Sequence, residues 1–200
     1  MDLVTRSRGG LVTRVLAEVE TQSSVRFGKV VFVGTPNSGT PLADSGRPGT
    51  FLDHLTNALL LLPKFSVVMA VDLILSVVKW LATRAVGTLP GLIAQSPADP
   101  FLQQLNSSSP VPRAQYAAVA ANYEPDEGIL NRLKDAGADM LIKVDNDLVV
   151  PTVSITTVDP DTSPPPLMAD RIYHFDGGKV HHTNYFEQEE TLRFIQQVLQ

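Results

Sequence analysis

Residues 1–19 read MDLVTRSRGGLVTRVLAEV. A strand-like run at 2–5 reaches a serine at position 7, two glycines follow, and apolar residues then return at helical spacing. Leu11, Val12, Val15, Leu16 and Val19 share one helical face. The stretch reads as strand, sharp turn and helix, with a hydroxyl at the bend. Such a bend exposes the hydroxyl and sets it at a helix N-terminus, where free N–H groups and the dipole favour negative charge. Nucleophilic catalysis asks for that placement, for a base beside the hydroxyl, and for amides aimed at the developing oxyanion. A tight turn crowds its own backbone, so small residues are wanted two positions either side of Ser7. Gly9 and Gly10 supply the downstream side; Thr5 stands upstream, and the string is T-R-S-R-G. A serine beside glycine is equally the mark of an ordinary turn without chemistry.

Outward from this bend, three more runs have strand character: KVVFVG (29–34), QYAAVAA (115–121) and RIYHF (171–175). They are apolar along their length, as strands covered on both faces are. Helical patterns separate them, and near the end Leu192, Ile195 and Leu199 share a face. Strands alternating with helices predict an α/β fold with a mostly parallel sheet and crossover helices. No internal repeat is visible, and PDTSPPP (160–166) reads as an extended surface loop.

Two hundred residues suffice for one domain with a sizeable core. Hydrophobic residues make up 44% and charged residues 18%, a globular balance rather than a disordered one. A net charge of −5 and the lack of any Lys/Arg cluster argue against nucleic acid as a partner. Without cysteine there are no disulfides, thiolate chemistry or Cys-type zinc sites. Asp2, Arg6 and Arg8 interrupt any early apolar core, so no signal peptide is visible and a cytoplasmic location is expected.

Residues 51–94 break the alternation. Within them FSVVMAVDLILSVVKWLATRAV (65–86) has almost the length of a membrane span. Yet Asp72, Ser76, Lys79 and Thr83 fall at helical spacing and make one polar stripe. A lipid-facing span would bury an acid and a base, at about 2.5 kcal/mol or more each. The segment is therefore read as a helical cap or lid, with an ordinary core helix as the plain alternative. Contact with a membrane surface through the cap is a third reading.

Later segments bear on Ser7. The second strand runs into VFVGTPNSGTPLA (31–43). Strand followed by G-T-P-N-S-G-T invites comparison with a phosphate-binding loop. But Thr40 stands where the lysine belongs, and Pro41, which has no N–H, stands where Ser or Thr should hold magnesium. Nucleotide binding is rejected on that ground. VDNDLVVPT (144–152) sets an acid before an apolar run and Pro151, and GKVHHTNYF (178–186) follows the last strand. In this order the four segments resemble the α/β-hydrolase superfamily, in its lipase- or esterase-like branch. The resemblance covers nearly the whole chain but only the C-terminal half of the full fold, from the nucleophile elbow onward. A Thr-His-Ser-x-Gly elbow is common there, so Thr5 is a tolerated departure; Arg6 in place of histidine is less usual.

The resemblance implies a catalytic triad of Ser7 as nucleophile, Asp147 as acid and His182 as base, with the Arg8 backbone N–H as oxyanion donor. Asp145 is the fallback acid, and Glu124 or Asp126 a further alternative at a strand exit. His181 is the alternative base; neighbours on an extended loop point opposite ways, so one of the pair faces Ser7. His54 and His174 read as structural, and Asp159, Asp161, Asp170 and Asp176 as loop and turn residues. A metal site on His174, His181 and His182 lacks a spaced acidic partner, so neither metal nor cofactor is expected.

The implied function is cleavage of an ester with an apolar portion, the substrate being small or lipid-like. The alternative is a non-catalytic α/β-hydrolase-like binding or regulatory module. The family's sheet has several strands ahead of its elbow, and one of their loops gives the second oxyanion N–H. With serine at position 7, a single truncated domain over 1–200 is expected. Its N-terminal strands, the upstream half of the fold, would be missing, the strand at 2–5 would be an exposed edge, and activity would be impaired.

Overall fold

Four strands form one parallel sheet in chain order: β1 (Leu3–Arg6), β2 (Lys29–Val33), β3 (Gln115–Tyr123) and β4 (Ile172–Gly178). The computed structural model describes residues 1–20, 25–43, 94–107, 114–124, 127, 143–159 and 165–200. The cap read over 51–94 lies outside the described residues except for Ala94, as do His54, Asp126 and Asp161. Thr5 pairs with Phe32, Phe32 with Ala118, and Ala118 with Ile172. Parallel neighbours need crossovers, because a tight hairpin cannot return the chain in the same direction. Helix α1 (Arg8–Arg14), prolonged by a π-helical turn over Val15–Val19, lies between β1 and β2. Helix α2 (Pro100–Ser107) precedes β3, α3 (Thr152–Thr156) precedes β4, and α4 (Glu189–Leu199) ends the chain. The architecture is α/β, as the alternation of runs predicts. Among the described residues no helix is long and apolar enough to cross a membrane.

The central strands are buried on both faces, with the period of two that a pleated strand imposes. Val30 and Phe32 of β2, with Tyr116, Ala118 and Ala120 of β3, pack against Ala17, Ile155 and Val158. Val31, Val33, Ala117, Val119 and Ala121 face the other way, towards Tyr185 and the α4 side chains Phe194, Ile195 and Val198. Truncating a ring such as Phe32 in this layer would cost about 3–5 kcal/mol.

Three sequence expectations need correction. Asp176, read as a turn residue, lies within β4, which runs on to Gly178. The register shifts there: Ala121 pairs with Phe175 but Tyr123 with Gly178, so β4 carries an extra residue and bends rather than ending.

The second correction concerns α1. Its apolar stripe is only half used: Leu11 and Val15 pack on Leu102 and Leu105 of α2, while Val12, Leu16 and Val19 are exposed. The inward face carries Thr13, Arg14, Ala17 and Glu18. Arg14, wholly buried, donates from Nε to Glu18 Oε1 at 2.9 Å and from Nη2 to Asp159 Oδ1 at 2.8 Å. Its Nη1 donates to the Asn37 carbonyl at 3.3 Å and to Asn106 Oδ1 at 2.8 Å. Tyr116 donates its hydroxyl to Glu18 Oε1 at 2.6 Å. A buried charge is tolerated only when paired and hydrogen-bonded. The partners waiting on the loops after β2 and α3 therefore decide which face of α1 turns inward. Asp159, read as a solvated loop acid, is 1% exposed and belongs to this cluster.

Candidate active site

The chain reverses within one residue between β1 and α1, and Ser7 carries the reversal with φ 51° and ψ −135°. Such backbone costs a non-glycine residue about 1–3 kcal/mol and gathers at functional sites. The Ser7 amide donates to the Val33 carbonyl at 3.0 Å, which adds a rung to the β1–β2 ladder. The Ser7 carbonyl accepts from the Gly10 amide at 3.0 Å. Arg8 heads α1, so its amide has no acceptor one turn back. A Cβ on Gly9 would meet nothing, whereas one on Gly10 would collide with Thr35 Oγ1. The crowding that demands glycine thus falls three residues after the serine, not two. Upstream, Thr5 turns its hydroxyl to the Val31 carbonyl at 3.4 Å.

The acid loop folds back on itself through a bridge between Asn146 and Pro151. Leu148, at φ 79°, makes the return, and its amide donates to Asn146 Oδ1 at 2.7 Å. Asp147, wholly buried, takes hydrogen bonds on both carboxylate oxygens. Oδ1 accepts from the amides of Val149 (3.1 Å) and Val150 (2.8 Å). Oδ2 lies 2.8 Å from His182 Nδ1 and accepts from the Tyr185 hydroxyl at 3.0 Å. Burial first, and then the charge of Asp147, raise the Tyr185 phenol well above its ordinary pKa, so it stays a donor.

His182 is held from several sides. Its amide donates to the Asp147 carbonyl at 2.8 Å, and its carbonyl accepts from Arg6 Nη2 at 2.7 Å. An ionised carboxylate only accepts, so the Asp147 contact assigns a proton to Nδ1 and leaves Nε2 the basic nitrogen. His181, the alternative base, has other partners. Its Nδ1 is 3.0 Å from Thr183 Oγ1 and its ring stands edge-on to Tyr123. Asp145 is exposed and accepts from Asn122 Nδ2 at 3.2 Å; Glu124 and His174 are exposed as well.

Gly34 joins the elbow to this pair. It follows Val33, the acceptor for Ser7, and has φ 57°. A Cβ there would lie 3.0 Å from Asp147 Oδ2 and 3.2 Å from His182 Nδ1. Among the described residues no hydrogen bond joins Ser7 Oγ to His182; in uncomplexed enzymes such bonds are often long and tighten with substrate. The rest of the G-T-P loop is tied to the acid loop. Asn37 Nδ2 donates to the Ile155 carbonyl (2.9 Å), Ser154 Oγ to the Gly39 carbonyl (2.6 Å) and Thr40 Oγ1 to the Val149 carbonyl (2.5 Å). Those side chains are hydrogen-bonded within the chain. Among the described residues no group of three or more His, Cys, Asp or Glu could hold a metal ion. Tyr185 and the Arg6 contact escaped the sequence reading, although both residues lie inside the quoted motifs.

The crystal structure of Bacillus licheniformis lipase BlEst2 in mature form is similar, with a TM-score of 0.56 and 16% identity. The match covers 100% of this chain and 65% of the lipase, so the chain spans just under two thirds of that protein's length. At such identity the likeness is one of fold, and the chain has part of an α/β-hydrolase-like architecture. The model of a family described as "Domain of unknown function (DUF7379)" matches residues 1–200. No curated protein matches the chain.

Proposed function

We propose a function for this chain, which belongs to the DUF7379 family: it is a serine hydrolase of lipase or esterase type, acting through Ser7, His182 and Asp147. The observation that carries the reading is the buried His182–Asp147 pair, 2.8 Å apart, packed on Gly34 beside the strand end that holds the strained Ser7 bend. Ser7 Oγ attacks the ester carbonyl while His182 Nε2 takes its proton and then delivers it to the departing alkoxide. Asp147 keeps the imidazole in the right tautomer and stabilises the imidazolium. The Arg8 amide donates to the oxyanion. Water then enters and gives a proton to His182 as its oxygen attacks the acyl carbon; His182 returns that proton to Ser7 Oγ as the acid departs. The likeness to a lipase fold and the apolar stretch at 51–94 support an ester with an apolar portion.

The test pairs the wild-type protein with Ser7→Ala in hydrolysis of a chromogenic short-chain ester and in labelling by a fluorophosphonate. Wild type should be labelled at Ser7, and the variant should lose about 10⁴-fold or more of the rate. Equal turnover by the two proteins would overturn the reading. A wild-type protein that binds the ester yet neither turns it over nor takes the label would be a binding module.

A further inference from the structure

We infer that Arg6 is a positioning residue for the catalytic base, an inference that rests on the hydrolase reading of Ser7 and His182. Arg6 is the last residue of β1, on the exposed side of a strand whose Leu3 and Thr5 are half-buried. An arginine there would ordinarily be a solvated surface charge. Here its Nη2 donates to the carbonyl of His182 at 2.7 Å, across 176 positions of chain. The acceptor belongs to a residue only 8% exposed.

Asp147 holds His182 by ring and amide, so both of those restraints come from one side, the acid loop. The Arg6 bond is the one described hydrogen bond that ties this histidine to the segment bearing the nucleophile. It is charge-assisted, the stronger class of hydrogen bond. The arm reaches from the residue next to Ser7, so it fixes the base relative to the hydroxyl rather than relative to the acid.

A misplacement of about 1 Å between reacting groups costs about 10²-fold in rate. Losing the donor from Arg6 should therefore act on kcat, while KM, set by the substrate pocket, stays put. The test uses Arg6→Met, which keeps the apolar stem and removes the donors, with Arg6→Lys as the conservative variant. Arg6→Met should lower kcat about 10- to 100-fold with KM within about twofold. Arg6→Lys should recover part of that loss, and added methylguanidinium should raise the rate of Arg6→Met without changing wild type. A second readout is the downfield proton resonance of His182 Nδ1–H, sharp in wild type and broadened by solvent exchange in Arg6→Met. Should Arg6→Met fail to fold, the comparison of Arg6→Lys with wild type decides by the same two readouts.

A kcat within twofold of wild type, a loss confined to KM, or an unchanged Nδ1 resonance would overturn the inference. Ser7→Ala, run alongside, separates the two levels. If it hydrolyses ester as fast as wild type, the hydrolase reading fails, and the Nδ1 resonance alone then judges whether Arg6 holds the histidine.

Discussion

Asp147 and Asp159 lie in one stretch of chain, both essentially inaccessible to water, and the fold treats them in opposite ways. Asp147 has four hydrogen-bond partners over its two oxygens: two amides, a phenol and an imidazole. None of these is a permanent cation. Asp159 gives Oδ1 to Arg14, while its Oδ2 has no partner among the described residues. Arg14 must also serve Glu18, so the cluster holds two acids for one guanidinium. Burial, the leading influence, raises the Asp159 pKa; Arg14 opposes it and Glu18 adds to it. Under the proposed function Asp147 stabilises a transient imidazolium, and neutral donors leave its charge available for that. A carboxylate meant to fasten a helix can be matched against a cation.

Removing charge from the first aspartate should have the largest effect on rate. Asp147→Asn keeps the shape but disturbs the tautomer of His182, and kcat should fall about 10⁴-fold, the larger of its effects. The reverse pattern is expected in the second cluster. Arg14→Met strands Glu18 and Asp159 in the interior, and denaturant unfolding should show a loss of about 3–5 kcal/mol. If Asp147→Asn proved mainly destabilising, or Arg14→Met mainly catalytic, the division between the clusters would fail.

Tyr185→Phe probes the first cluster more gently. It removes one hydrogen bond to a buried carboxylate, a loss of about 1.5–3 kcal/mol in chemical denaturation. Asp147 keeps its other three partners, so activity should drop far less than in Asp147→Asn. The smallest effect is a pH dependence. Because the folded pKa of Asp159 is raised, its contribution to stability is complete below the unfolded value of about 3.9 and is lost as pH rises through the folded one. Asp159→Asn abolishes that slope and tolerates the φ of 45° at this position. Melting curves across acid to neutral pH should therefore show the variant gaining on wild type as pH increases. Parallel curves would show that the raised pKa does not matter to folding.

The two central strands were legible because buried parallel strands are apolar end to end, and the observed bounds depart little from those read at 29–34 and 115–121. The contact between Asp147 and His182, 2.8 Å apart, joins two short motifs of distinctive order. The buried pairing of Arg14 with Glu18 was not. An arginine and a glutamate one helical turn apart look like a solvated pair, and only the partners on distant loops turn them inward. The Arg6–His182 contact was hidden for the same reason, since no local pattern reports a bond across most of the chain. Asp176 misled because glycines after an acid suggest a turn, whereas here they accompany a bulge.

The bond from the Ser7 amide to the Val33 carbonyl makes the bend a continuation of the sheet ladder. Its deuterium uptake should accordingly match the slow amides of β2 and β3. Warming would leave the hydroxyl at its address until the strands themselves came apart.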